Sequence, residues 1–401
     1  MDLLSEAKAL FPYTQAMRRD FHQHPELGFG EERTSKIVAD TLQDLGFTVT
    51  TGVGRTGVVG MLAGKKESPV VMLRFDMDAL PILEENQTDY VSQNKGVMHA
   101  CGHDSHIATG LTVAKILSAH RAELEGSVKF VFQPAEEGPG NTGFVEGGAL
   151  AMIKDGVLEN PKPDYALAMH VWNEKPVGWW GISNGPCMAG GDYFKVKIIG
   201  KGGHGAVPHL AVDPVQTSAL IISACQSIVS RSIAPLDAGV VSITHIEGGS
   251  AFNVIPPYVE MEGTFRSFTP ETRALIVERF KKIVNDIADS MNCTTEVTIT
   301  QVTLPVINNK NISEIMQSLL RNMDLEAKVD TDMRTMGSED MSYLMSDIPG
   351  CFIFIGSANH SRGLDFPHHH PRFDIDEDCL PEAAALLANG SLALLSGKLD
   401  I

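Results

Sequence analysis

Two hydrophobic periods alternate along the chain, and their order predicts its architecture. Apolar positions at about 3.6-residue spacing predict helices over 6–22 and 31–45. The first ends before His24-Pro25, and Gly46 closes the second. Residues 47–51 and 57–62 read as strands, and Val70-Val71-Met72-Leu73 as a strand buried on both faces. Ile107, Leu111, Ala114 and Leu117 keep helical spacing after His103, and 128–132 and 165–171 are strands again. Strands alternating with helices predict an α/β domain with a mostly parallel sheet. Its polar residues gather just past the carboxyl ends of the strands, where open α/β sheets place their sites.

The pattern changes near Gly190. A strand over 193–200, a helix over 213–231, strands over 239–247 and 259–268, a helix over 270–290 and a strand over 295–301 follow in turn. Pro214 and Pro270 suit first helical turns, after the capping residues Asp213 and Thr269. This β-α-β-β-α-β order is the ferredoxin-like split. It predicts an α+β domain over 191–305 inserted into a discontinuous α/β domain of 1–190 and 306–401. A buried strand over 351–356 and a helix over 381–395 complete the first domain.

Composition narrows the partners. Of 401 residues, 43% are hydrophobic and 20% charged, as in ordinary globular chains. The net charge of −18, from 32 basic and 50 acidic residues, argues against nucleic acid or an anionic membrane as partner. No apolar run looks long enough to span a bilayer, and the N-terminal residues lack a signal-peptide pattern, so a cytoplasmic location is expected. The six cysteines are scattered without a CxxC pair and read as reduced thiols.

Only Cys101 has the company of other metal ligands. Met98-His99-Ala100-Cys101-Gly102-His103-Asp104-Ser105-His106 packs a thiol and three imidazoles into nine residues, with Gly102 allowing Cys101 and His103 to converge. Glu137, His170 and one of His368, His369 and His370 complete a candidate set of five, each just after a strand or in a loop beyond one. Thiolate, imidazole and carboxylate together suit a two-metal site with one bridging ligand. Beside Glu137, Glu136 can stay free as a general base. Lys201-Gly202-Gly203-His204-Gly205-Ala206 is a glycine-rich turn presenting one imidazole, and Asn253 and Arg266 could bind a carboxylate. His22, His24, His99, His106, His209, His245 and His360 read as structural or supporting. The stretch Gly138 to Gly148 reads as chain passing close to the site rather than as a phosphate loop.

With these motifs assembled, the sequence resembles the M20 metallopeptidase family, in its amidohydrolase branch of hippurate hydrolases, N-acyl-amino-acid amidohydrolases and auxin-conjugate hydrolases. The resemblance runs from Phe21-His22-Gln23-His24-Pro25-Glu26-Leu27-Gly28 through Leu73 to Pro81, His99 to Asp104 and Phe132 to Gly138, and ends at His369-His370-Pro371-Arg372-Phe373. It implies two divalent ions per subunit (zinc, manganese, nickel or cobalt). Their ligands would be Cys101, His103, Glu137, His170 and His369. One ion would take Cys101, His103 and His170, and the other Cys101, Glu137 and His369, with Asp76 orienting a ligand from behind. The wider family opens its site with His-x-Asp, where this chain has Arg74-Phe75-Asp76; His103 stands in for the missing histidine and Cys101 for the usual bridging aspartate. The resemblance implies Glu136 as general base toward a metal-activated water and His204 as an oxyanion donor acting from the partner subunit of a homodimer or higher homo-oligomer. It implies that the inserted domain is a lid and dimerisation domain, with Asn253 and Arg266 holding the substrate. The expected reaction is hydrolysis of N-acyl or N-aroyl amino acids or related amides. A dipeptidase or carboxypeptidase on the same site, or a non-catalytic binding protein on the same scaffold, is the alternative.

Overall fold

The computed structural model describes residues 2–138 and 146–397, so most of the stretch from Gly138 to Gly148 lies outside the described residues. The chain divides into two compact units. Unit 1 comprises Met1–Cys187, Ile307–Met333 and Asp340–Ile401; unit 2 comprises Met188–Val306 and Arg334–Glu339.

Unit 1 is built on an eight-stranded mixed sheet. Its order is Thr48–Val53, Gly57–Ala63, Ser127–Gln133, Val70–Asp76, Tyr165–Pro176, Gly350–Ala358, Trp179–Gly181 and Lys328–Asp330. The four strands from Ser127–Gln133 to Gly350–Ala358 run parallel. Of these, Val70–Asp76, Ser127–Gln133 and Gly350–Ala358 are buried at every position, which explains the apolar runs of residues 70–73 and 351–355. Lys129 survives inside this sheet because its ammonium donates to the carbonyls of Val157, Glu159 and Pro161 at 2.9, 2.8 and 2.7 Å.

Helices His103–Ala119 and Leu380–Ser396 are buried over most of their surface and lie in the core. The helical stretch Glu377–Ser396 is long and apolar enough to cross a membrane, contrary to the sequence reading, but 72% of its apolar window is buried in the protein. The helix expected over 6–22 is two, Leu3–Ala9 and Phe11–Gln23. Pro12 has no N–H to continue the first helix and starts the second.

Unit 2 carries a four-stranded antiparallel sheet in the order Gly239–Glu247, Tyr258–Ser267, Gly190–Ile199, Thr294–Gln301. Helices Pro214–Ser227 and Pro270–Ser290 cover one face. Asp213 caps the backbone N–H groups of Val215 and Gln216, and Thr269 caps that of Thr272. Alternate residues of Gly190–Ile199 point inward, and Phe194 packs between Phe265 and Phe280 at centroid distances of 4.7 and 4.5 Å. The element order and strand order are those of the ferredoxin-like split.

Candidate metal centre

The centre is built where strands of unit 1 end. Val70–Asp76 leads to Asp78, Ser127–Gln133 to Glu136 and Glu137, and Tyr165–Pro176 carries His170. Gly102 adopts φ +91°, and a Cβ there would lie 2.4 Å from Val171 Cγ2. Only glycine permits both the turn and the contact, which lets Cys101 and His103 converge.

The five expected ligands fall into two trios that share Cys101. Donor atoms of Cys101, His103 and His170 lie within 4.8 Å of one another, as do those of Cys101, Glu137 and His369. Cys101 Sγ is 3.5 Å from His170 Nε2, and His369 Nε2 is 2.8 Å from Glu137 Oε1. His369 reaches this position through a left-handed φ of +65°.

Hydrogen bonds fix which imidazole nitrogens face the centre. His170 Nδ1–H donates to the Val171 carbonyl at 2.6 Å, leaving Nε2 toward Cys101. His103 Nδ1–H donates to the Asp78 carbonyl at 2.8 Å and lies 3.2 Å from Asp78 Oδ1. His103 Nε2 is buried without a hydrogen-bond partner, with Asp76 Oδ2 3.9 Å away. Burial pushes His103 down, but Asp76, Asp78 and Glu137 outweigh it and lift the group to about 10. These carboxylates draw positive charge to a nitrogen that makes no hydrogen bond, where a metal ion would take the place of a proton. Burial, then Glu137, Glu136 and Asp76, push the Cys101 thiol well above its usual range. Burial also opposes charge on Glu137, which the His369 hydrogen bond overcomes to hold the carboxyl low. The donor set therefore fits divalent cations, which would neutralise this excess of negative charge.

Asp76 lies 3.9 Å from His103 Nε2 through Oδ2, and its hydrogen bonds go to other partners. Asp78 is the carboxylate that orients His103, whereas Asp76 accepts from Arg74 Nη1 at 2.6 Å and from His106 Nδ1 at 2.5 Å. His106 Nε2 in turn accepts the Val171 N–H at 3.0 Å, so His106 links Asp76 to the His170 segment. Burial opposes charge on Asp76, and His103, His106 and Arg74 together hold its carboxyl well below the usual range. The guanidinium of Arg74 also donates to Gln133 Oε1 at 2.9 Å and Asp340 Oδ1 at 3.0 Å. It ties the first two parallel strands to the segment at Asp340.

Glu136 and Glu137 follow a turn at Ala135, which has φ +45°. Glu31 accepts the Ala135 N–H at 2.9 Å and the Thr56 hydroxyl at 2.5 Å. Gly28 leaves room for the same turn, since a Cβ there would meet the Gly138 carbonyl oxygen at 2.4 Å. The early motif thus supports the acidic pair from behind. The sequence marks His106 as a supporting residue without its partners, and it does not show the roles of Asp78 and Glu31; the spacing of Asp76 and Asp78 at a strand end was the available signal for the first.

The three consecutive histidines differ in setting. His368 is half-buried with Nδ1 3.9 Å from Cys101 Sγ, and His370 stacks on Phe366 at 4.7 Å. Burial, then the neighbouring imidazoles, push His368 down to about 3.

In unit 2, His204 and Asn253 lie on two facing segments. His204 pairs with Val254, and Gly205 N–H donates to the Asn253 carbonyl at 2.8 Å. His204 Nδ1 accepts the Ala206 N–H at 3.0 Å, so Nε2 carries the proton and is left to donate. Arg266 is half-buried and donates through Nη1 to Thr264 Oγ1 and to the Phe265 carbonyl. Among the described residues no carboxylate forms an ion pair with it. Burial, partly offset by Asp192, depresses its pKa.

The profile of Peptidase family M20/M25/M40 matches residues 72–390. Thermostable carboxypeptidase 2 of Saccharolobus solfataricus is 38% identical over 98% of this chain and 97% of its own. IAA-amino acid hydrolase ILR1-like 4 of Arabidopsis thaliana is 38% identical over 96% of this chain and 87% of its own. The structure of Bacillus subtilis YXEP, described as a dinuclear metal binding peptidase, superposes with a TM-score of 0.84 at 32% identity, covering 97% of this chain and 99% of that one.

Proposed function

This chain belongs to peptidase family M20/M25/M40 and is a metal-dependent amide hydrolase; from that premise we propose that it cleaves the amide bond of N-acyl or N-aroyl amino acids. Cys101, His103 and His170 would hold one divalent ion, and Cys101, Glu137 and His369 a second. When bound, these ions supply Lewis acidity toward a carbonyl and toward water.

The protein's own groups carry the proton transfers. Glu136 is adjacent in sequence to the ligand Glu137 and is the base that takes a proton from the attacking water. It then delivers that proton to the leaving amine. His204 donates Nε2–H to the developing oxyanion. Arg266 and Asn253 receive the α-carboxylate of the amino-acid half.

Arg266 carries the substrate reading. A half-buried guanidinium with no carboxylate partner among the described residues suits an anionic substrate group. A homodimer belongs to the same proposal. Gly239–Glu247 is an edge strand of unit 2, and Leu236, Ile246 and Phe252 are exposed near it.

The likeness to a carboxypeptidase favours peptides as the second reading. The two separate in one assay of protein loaded with zinc, manganese, nickel or cobalt. Its substrates are N-acetyl, N-benzoyl and indoleacetyl amino acids and free-amine dipeptides. Turnover of the acyl amino acids, with a raised KM in Arg266→Ala for substrates bearing the α-carboxylate only, is expected. Turnover of free-amine dipeptides alone would overturn it.

A further inference from the structure

Resting on the metal reading above, we infer that His368 is a positioning residue that donates its Nδ1–H to the thiolate of Cys101. The tautomer is set by the backbone. Asn173 N–H donates to His368 Nε2 at 3.2 Å, so that nitrogen offers its lone pair and Nδ1 carries the proton. Nδ1 lies 3.9 Å from Cys101 Sγ, within reach of a hydrogen bond to sulfur.

The arrangement is held from several sides. Asn173 donates its side-chain amide to the carbonyls of Phe366 at 2.8 Å and Asp374 at 2.9 Å, and accepts the Ser357 hydroxyl at 3.0 Å. The His368 ring packs against Trp172 at 5.3 Å and Phe373 at 4.9 Å. Neither nitrogen of His368 is left over for a metal ion. His368 and His369 therefore divide the work: one bonds the shared sulfur, the other reaches Glu137.

This contact has a chemical purpose. A thiolate shared by two cations donates charge strongly and lowers the Lewis acidity of both. An N–H bonded to the sulfur withdraws part of that charge. His368 thereby adjusts a sulfur bridge for a reaction that needs acidic metal ions.

The test uses cobalt-loaded full-length protein and follows the thiolate-to-cobalt charge-transfer band in the near ultraviolet. His368→Leu removes the N–H and is expected to shift the band to lower energy and to lower kcat about 10-fold with little change in KM. His368→Asn keeps a donor near the Nδ1 position and is expected to restore the band position. A band unmoved in His368→Leu, or moved equally in both variants, overturns the inference while leaving the metal reading intact. Absence of any thiolate-to-cobalt band in the unmutated protein overturns the role of Cys101, and this inference with it.

Discussion

Asp78 Oδ2 accepts the backbone N–H of Glu137 at 3.0 Å. The same side chain holds His103 through Oδ1, so one carboxylate sets the positions of two proposed ligands, one at a helix start and one past a strand end. Asp78→Ala should lower metal affinity about 10- to 100-fold, measured by metal content after dialysis against a competing chelator. Unchanged affinity would show that the ligands hold their positions without it.

Gly102 is the second point of no tolerance. Its φ of +91° and the 2.4 Å approach of Val171 Cγ2 leave no place for a methyl group. Gly102→Ala should cost at least about 1–3 kcal/mol in urea unfolding and should reduce bound metal. A variant with native stability and full metal content would contradict the packing argument.

Glu136→Gln should lower kcat roughly 10²- to 10⁴-fold while metal content stays at the unmutated level. If His204 acts from the partner subunit, mixing Glu136→Gln subunits with His204→Ala subunits creates one site with both groups intact. Activity should then rise above that of either variant alone. A mixture as inactive as its components, with hybrid dimers demonstrated, rejects action across the dimer.

Stability should fall in alkali through His22. Its Nδ1 lies 2.7 Å from Asp104 Oδ2 and its Nε2 3.1 Å from Glu84 Oε1. Burial and the nearby Arg18 push His22 down, but the two carboxylates prevail and lift it to about 9 from 6.5. Because the folded pKa is raised, its stabilisation is full below about pH 6.5 and is lost as pH rises through about 9. The difference is on the order of 3 kcal/mol. Urea unfolding of the unmutated protein and His22→Gln at pH 6.5 and 9.5 checks this: the gap between them should narrow at the higher pH.

Much of this protein was legible in its sequence because its signals are local. Continuous apolar runs mark strands buried on both faces, and proline after a capping residue marks helix starts at 214 and 270. Cys101, Gly102 and His103 show their chemistry within three residues, and Glu136 and Glu137 within two. Tertiary structure decided what depends on distant partners. No local pattern distinguishes Asp78 from Asp76, because the difference is whether His103 or His106 packs against each. No pattern within His368-His369-His370 separates their settings, because those follow from the Asn173 N–H, Glu137 and Phe366. Hydrophobic periodicity specifies which face of an element is buried; it does not specify which polar group meets which once that face is packed.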